Sequence, residues 1–158
     1  MRKYAELTTV GMMSPANETL GTDAARLRRP LLLVLSSDVM LCSRLEAPAA
    51  SIGVKPVAIA SLEELREALA GEPSAIVLLD LADAAVPYPE AIDAVQSVAT
   101  DACCVGIYPH VRDDLKKDAV TRGCTIVLPR SQFFMDIAGA LSAARDSLAN
   151  RASQHPAG

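Results

Sequence analysis

The chain contains no tryptophan, and only 3% of its 158 residues are aromatic, although 51% are hydrophobic. A core with so few rings must be built from alanine, valine, leucine and isoleucine, which suits a parallel sheet covered by alanine-rich helices. The length is sufficient for one domain with a substantial core and is too short for two ordinary domains.

The sequence also has few histidines and no closely spaced pair of cysteines of the kind that binds zinc. The two histidines, His110 and His155, and four cysteines without CxxC spacing are poor material for a zinc site, so we predict no metal site. Each cysteine falls within an apolar stretch, and we interpret all of them as buried thiols in a reducing cytoplasm. These cysteines are Cys42, Cys103, Cys104 and Cys124.

A basic excess and long apolar runs are missing as well. The formal net charge is -4, which argues against a general binder of nucleic acid or of an anionic membrane. No apolar run approaches the length of a membrane span, and the first 20 residues lack the apolar segment of a signal peptide. We therefore expect a cytoplasmic protein with no membrane or nucleic-acid partner.

Motifs of the commoner enzymes are absent too. The sequence contains no Gly-rich phosphate loop, no GxSxG elbow and no HExxH pair. We therefore predict no catalytic residues, no cofactor and no enzymatic activity.

The chain does contain a regular alternation of apolar strands and amphipathic helices. Strands are predicted at residues 30–37, 55–60, 75–81, 103–108 and 125–128. Short links between them predict an α/β fold with a doubly wound, five-stranded parallel sheet and right-handed crossovers. The domain is expected over residues 30–149, between a flexible N-terminal tail, 1–29, and a C-terminal tail, 150–158.

Three helices carry clear boundary signals. Asp38 is a plausible N-cap for the first helix, and Pro48 is expected to kink that helix or end it early. Ser61 and Glu64 form a capping box for a helix over residues 61–71. The last helix is predicted to begin at an N-cap, Ser131, and to direct inward Phe134, Ile137, Leu141, Ala144 and Leu148.

Polar side chains follow several of the predicted strands. In a parallel sheet of this kind, ligands and reactive groups gather outside the carboxyl ends of the strands. After the first strand come Ser36, Ser37 and Asp38, and after the third come Asp80 and Asp83. The fourth strand is followed by His110, and the fifth is followed by Arg130 and Ser131. Of these, Arg130 with Ser131 opens a helix and could attract an anion. His110 could be a base or a ligand, although an ordinary loop histidine is favoured.

Three segments carry a resemblance to a known family: VLLDL, which contains Asp80, LKKDAVTRGCTIVL, and VLPRSQF with its proline. Over roughly residues 30–146 the order of segments resembles the receiver (CheY-like) domain of bacterial response regulators. GIYPHV and RGCTIVLPRSQF are also similar to small stand-alone receiver-like proteins. The resemblance implies a flavodoxin-like sheet with strand order 2-1-3-4-5, and it implies that Asp80 is the phosphoryl acceptor.

The resemblance also implies a magnesium ion, held by the acceptor and by an acidic pair after the first strand. The matching positions here are Ser36 and Ser37, and neutral hydroxyls cannot replace two carboxylates. Asp38 lies one residue late and could supply a single ligand at most.

Two further family positions differ. The small hydroxyl residue expected after the fourth strand is replaced by Tyr108 or Pro109. The lysine before the proline of the fifth strand is Leu128, which cannot balance charge on a phosphoryl group, although Arg130 lies two residues on and could partly compensate. We therefore predict a divergent pseudo-receiver without conventional magnesium-dependent phosphorylation.

Three hypotheses remain open at this point. The first is a non-enzymatic signalling module in which Asp80 is a structural carboxylate. It would work through a protein partner, with a homodimer formed by the last helix as an open alternative. The second is a receiver that is still phosphorylated, with Asp80 as acceptor and Asp38 on the metal side. The third is a flavodoxin-like binder of a small anion at Arg130 and Ser131.

Overall fold

The structure is a computed structural model that describes residues 30–99 and 101–154, and for residues 151–154 it describes the backbone alone. The predicted N-terminal tail, 1–29, lies outside the described residues, as do residues 155–158. Residues 150–154, which the sequence assigned to a C-terminal tail, continue the last helix.

Strands and helices alternate along the described chain. The strands are β1 (Leu31–Leu35), β2 (Lys55–Ile59), β3 (Ile76–Asp80), β4 (Cys103–Tyr108) and β5 (Ile126–Pro129). The helices are α1 (Val39–Ser51), α2 (Leu62–Gly71), α3 (Tyr88–Val98), α4 (Asp113–Arg122), α5 (Arg130–Met135) and α6 (Ile137–Gln154).

All five strands are parallel, in the order β2-β1-β3-β4-β5. This confirms the predicted doubly wound, flavodoxin-like sheet. Every residue of β3 is buried, as expected for a central strand that is covered on both faces. At one edge, β2 begins with Lys55 and Pro56, and the Lys55 N–H donates to the Pro30 carbonyl at 3.0 Å.

The core consists of two apolar layers, one on each face of the sheet. One layer contains residues from α2, α3 and α4, such as Leu65, Ile92 and Leu115. The other contains residues from α1, α5 and α6, with Phe133 and Leu141 among them. Three of the cysteines are buried in these layers and Cys42 is half-buried, and none forms a disulfide.

The caps of the first two helices agree with the sequence, but one boundary does not. The Asp38 carboxylate accepts from the Met40 N–H at 3.0 Å, and the Ser61 hydroxyl accepts from the Glu64 N–H at 3.1 Å. The prediction that Pro48 ends α1 early is wrong, because the helix continues to Ser51. Pro48 lies in the last turn of α1, where its missing N–H removes a single helical hydrogen bond.

The last predicted helix is in fact two helices. β5 runs directly into α5, so Ser131 is the second residue of α5 and is not an N-cap. Asp136 interrupts the helix and caps α6, since its carboxylate accepts from the Gly139 N–H at 2.9 Å. Phe134, Ile137, Leu141, Ala144 and Leu148 all belong to one apolar layer, as predicted, but the fully buried ring is Phe133, and Phe134 is only half-buried.

Two glycines adopt positive φ and allow a controlled test of backbone strain. Gly53 has φ 75° with open space where a Cβ would stand, whereas Gly123 has φ 105° and a Cβ there would overlap the Gln96 side-chain amide. Gly53→Ala should lose about 1–2 kcal/mol of unfolding free energy from strain alone. Gly123→Ala should lose more, because φ 105° lies further than φ 75° from the left-handed region near 57° that other residues can adopt, whereas the exposed Gln96 side chain can move aside. Denaturant titration of both variants measures the difference, and equal losses would contradict this account of Gly123.

Candidate functional site

The candidate site is centred on Asp80, the last residue of β3. Among the charged side chains of the described residues, Asp80 alone is buried, with 7% of the residue exposed. Because Asp80 is the last residue of the central strand, its carboxylate lies at the carboxyl end of the sheet, where the sequence predicted the acceptor.

Arg130 is the direct partner of Asp80. Its Nη1 donates to the Asp80 Oδ2 at 2.7 Å, and the Arg130 side chain is 30% exposed. The pairing follows from the connection at the end of β5, since Arg130 is the residue at which the strand becomes α5. Close to it, the Phe134 ring lies 5.3 Å from the Arg130 guanidinium and 3.9 Å from that of Arg44.

Two opposing effects act on the ionisation of Asp80. Burial raises the pKa of Asp80, because removal from water disfavours the charged carboxylate. The charge and the hydrogen bond of Arg130 lower it and offset only part of this effect, so the pKa stays above its ordinary value. The ion pair therefore keeps a carboxylate in a position that otherwise disfavours charge.

Asp83 joins the loops that follow β1 and β3. Its Oδ2 accepts from the Ser37 N–H at 2.6 Å and from the Ser37 hydroxyl at 2.7 Å, and its Oδ1 accepts from the Ala85 N–H at 2.9 Å. Partial burial raises the pKa of Asp83, but these hydrogen bonds together outweigh it and the pKa is lowered. The sequence placed Asp83 and Ser37 at one rim without indicating that they bond.

The remaining predicted residues do not converge on Asp80. Asp38 is exposed and caps α1, and both His110 and Ser131 are exposed, with no hydrogen bond from any of the three to Asp80. Ser36 is half-buried and its hydroxyl is 3.5 Å from Asp83. Tyr108 is buried in the apolar layer on the α2–α4 face. The structure thus pairs Asp80 with Arg130 and Asp83 with Ser37, and the two pairs are neighbours, since the Asp83 N–H donates to the Asp80 carbonyl at 3.2 Å and the Asp83 charge raises the pKa of Asp80.

The donor set does not fit the magnesium ion that the resemblance implies. Magnesium binds through carboxylate and other oxygens in octahedral geometry, with charge needed to offset dehydration. Within residues 30–99 and 101–154, no three histidine, cysteine, aspartate or glutamate side chains are grouped to hold a metal. One Asp80 oxygen is occupied by the Arg130 guanidinium, and both Asp83 oxygens accept loop hydrogen bonds.

Comparison with known proteins finds no match by sequence but many matches by structure. No protein-family model and no curated protein matches this chain. In the part of the chain that the structure describes, none of the helices is long and apolar enough to cross a membrane.

Solved structures, in contrast, match most of the chain. A response regulator from Thermotoga maritima is 13% identical with a TM-score of 0.64, and covers 75% of this chain and 98% of its own. The signal receiver domain of an HD domain-containing protein from Pseudomonas fluorescens Pf-5 is 16% identical with a TM-score of 0.64, over 82% and 94%. A structure described as adenylate cyclase from Rhodopirellula baltica is 15% identical with a TM-score of 0.68, over 80% and 95%. The chain therefore has the fold of a response regulator receiver domain, as its sequence resemblance predicted.

Proposed function

We propose that this chain is a cytoplasmic, non-enzymatic signalling module that acts through protein contacts, with a receiver fold whose Asp80 is held by Arg130 instead of by a metal ion. The observation that carries the proposal is the 2.7 Å contact between Arg130 Nη1 and Asp80 Oδ2. A guanidinium donates hydrogen bonds and has no lone pair available to coordinate a cation. Arg130 thus supplies internally the positive charge that a metal would bring to Asp80.

The serines after β1 support the same conclusion. Ser36 and Ser37 stand where the resemblance implies two acids, and the Ser37 hydroxyl is already bonded to Asp83 at 2.7 Å. Asp38 is engaged as the N-cap of α1 and is exposed. A phosphorylated Asp80 would therefore gain little from these neighbours, and the second hypothesis, a conventional receiver, is less well supported.

The third hypothesis, a small-anion site at Arg130 and Ser131, is also less well supported. Arg130 Nη1 already donates to Asp80 Oδ2, and the ionised carboxylate offsets the positive charge that an anion would need. An incoming anion would therefore meet a guanidinium that is already paired with a carboxylate.

We extend the proposal to a partner surface at the end of α5. Met135 is 85% exposed and follows the half-buried Phe134, while Met40 on α1 is 62% exposed. The Phe134 ring also stacks on Arg44, which extends from α1 toward α5. This surface combines apolar and cationic groups, so we propose that a protein partner or a second copy of the chain docks there.

The proposal predicts that the protein does not form a stable phosphoryl or beryllofluoride adduct. We expect no change in intact mass after incubation with magnesium and acetyl phosphate. Amide spectra recorded with beryllofluoride should likewise match those of Asp80→Asn treated in parallel. An adduct or spectral shift that disappears in Asp80→Asn would contradict the proposal and favour a phosphorylated receiver.

A variant with the implied acids provides the matched comparison. In Ser36→Asp/Ser37→Asp/Arg130→Ala, the guanidinium is removed and two carboxylates are added at the positions that the resemblance assigns to the metal. We expect this variant to bind magnesium more tightly than the natural chain, as measured by titration of amide shifts. Anion binding that is lost in Arg130→Ala alone would instead favour the third hypothesis.

A further inference from the structure

Two buried cysteines approach each other between β4 and the start of β5. The Sγ atoms of Cys104 and Cys124 are 3.5 Å apart, and the residues are 1% and 7% exposed. Both side chains lie in the apolar layer that contains α2, α3 and α4. A disulfide needs an S–S distance of about 2.05 Å, so the sulfurs must close by about 1.5 Å. The neighbouring Cys103 belongs to the opposite layer.

The strand register makes this movement feasible. Val105 is paired with Ile126, and the Thr125 N–H donates to the Cys104 carbonyl at 2.9 Å, so Cys124 is offset from Cys104 by one residue. Cys124 precedes β5, in the connection from α4, and its Sγ also lies 3.3 Å from the Cys104 carbonyl oxygen. The two side chains therefore already face each other, and side-chain rotation is the movement that closes the remaining gap.

A surface pocket gives an oxidant access to one of the two thiols. The pocket has a volume of about 230 Å³ and is lined by Cys104 together with Gln96, Gly123 and Thr125. A water molecule occupies about 30 Å³ in the liquid, so hydrogen peroxide, roughly twice that size, fits within it. Cys104 lines this pocket and Cys124 does not, so the pocket leads to Cys104.

We propose that Cys104 and Cys124 form a redox-active pair that a peroxide converts to an intramolecular disulfide. The Cys104 sulfur attacks one peroxide oxygen, the O–O bond breaks, and the hydroxide released takes up the thiol proton as water, leaving a sulfenic acid. The Cys124 sulfur then attacks that sulfur, the S–O bond breaks, and a second water leaves with the Cys124 proton. Two thiols are oxidised and one peroxide is reduced.

The surroundings of Cys124 favour its part in the second step. Its hydrogen bond with Cys104 lowers the pKa of Cys124, and backbone groups of Ile126 and its neighbours act in the same direction against burial. A lower pKa increases the thiolate fraction that attacks the sulfenic acid. The bond formed would tie β4 to the beginning of β5, the strand that leads into Arg130, and the inference stands independently of the proposed signalling role.

The test uses the full chain with Cys42→Ser, which removes the most accessible cysteine and prevents cross-linking between molecules. The folded protein is treated with hydrogen peroxide, and the remaining thiols are alkylated in denaturant. We expect an intact mass lower by two hydrogens, and peptide mapping should link Cys104 to Cys124. The same treatment after unfolding should lose this selectivity, because Cys103 then competes with Cys104.

Single substitutions in that background test each role. Cys103→Ala should still form the bond, whereas Cys104→Ala and Cys124→Ala should lose it, with folding of all three checked by thermal melts. In Cys124→Ala, dimedone should trap a sulfenic acid on Cys104. Three results would overturn the proposal: no bond in the folded Cys42→Ser chain, a bond that requires Cys103, or dimedone labelling of Cys124 in Cys104→Ala without labelling of Cys104 in Cys124→Ala. Mapping of the Cys42→Ser chain decides even if a variant fails to fold.

Discussion

Arg130→Ala is expected to lower the free energy of unfolding by about 2–4 kcal/mol at neutral pH. Removing one partner of a buried ion pair typically costs about 3–5 kcal/mol, because the remaining charge is left in a poorly solvated place. The lower value applies here since the Arg130 side chain is 30% exposed while that of Asp80 is 9% exposed. Urea titration of the variant and the natural chain measures the loss.

The loss should depend on pH in a defined direction. Burial holds the pKa of Asp80 above its ordinary value, so the penalty on its carboxylate is present above that pKa and is relieved as the pH falls through it. The attraction to Arg130 exists only while Asp80 is ionised. The difference between the two proteins should therefore be complete at neutral pH and shrink on acidification. A difference that is constant or grows as the pH falls would contradict the assignment.

An exposed ion pair supplies the matched control. Arg112 and Asp114 are 2.9 Å apart, but their side chains are 51% and 65% exposed. Pairs of this kind are screened by water and salt, so Arg112→Ala should change stability little. Similar losses for Arg112→Ala and Arg130→Ala would show that burial of Asp80 adds nothing to the Arg130 pair.

Phe133→Ala is expected to lower the free energy of unfolding by about 3–5 kcal/mol, the usual range for a fully buried ring. Phe133 is completely buried in the layer that α5 and α6 form on the sheet. Its removal deletes apolar contact area and leaves a cavity that a small-residue core fills poorly. Thermal or denaturant unfolding measures the loss.

Phe134→Ala is the control from the adjacent position. Phe134 is half-buried, packs edge-on to Phe133 at 5.3 Å between ring centroids, and stacks on Arg44. Loss of an aromatic pair and a partly exposed cation–π contact should cost about 1–2 kcal/mol. A larger loss for Phe134→Ala than for Phe133→Ala would contradict the assignment of Phe133 as the buried ring that anchors α5.

The predicted sheet was correct because local signals were consistent with one another. β3 is a continuous apolar run, and Ser61 with Glu64 marks the start of α2 in a way that needs no tertiary information. The error at α5 has a local cause as well. A single helical period cannot span Asp136, which ends one helix and caps the next, so the period placed Phe134 on the inward face without indicating that Phe133 is the fully buried ring.

The candidate site was only partly predictable. The end of β3 and the departures at Ser36 and Ser37 can be read from the chain, since parallel strands bring their carboxyl ends together. The two contacts that define the site cannot be read this way. Arg130 reaches Asp80 across 50 residues and Ser37 reaches Asp83 across 46, and both depend on side-chain direction within the folded rim.

The edge strand β2 has a consequence for behaviour in concentrated solution. Because the Lys55 N–H points to β1, the alternation of a strand directs the nitrogen of Pro56 toward the open edge, where it has no hydrogen to donate. A strand from another molecule that added to this edge would lack one hydrogen bond at Pro56 and would lie beside the charged Lys55. Natural sheets use proline and lysine at edge strands in this way to resist aggregation. Within the described residues, addition of a further strand at the β2 edge is therefore disfavoured.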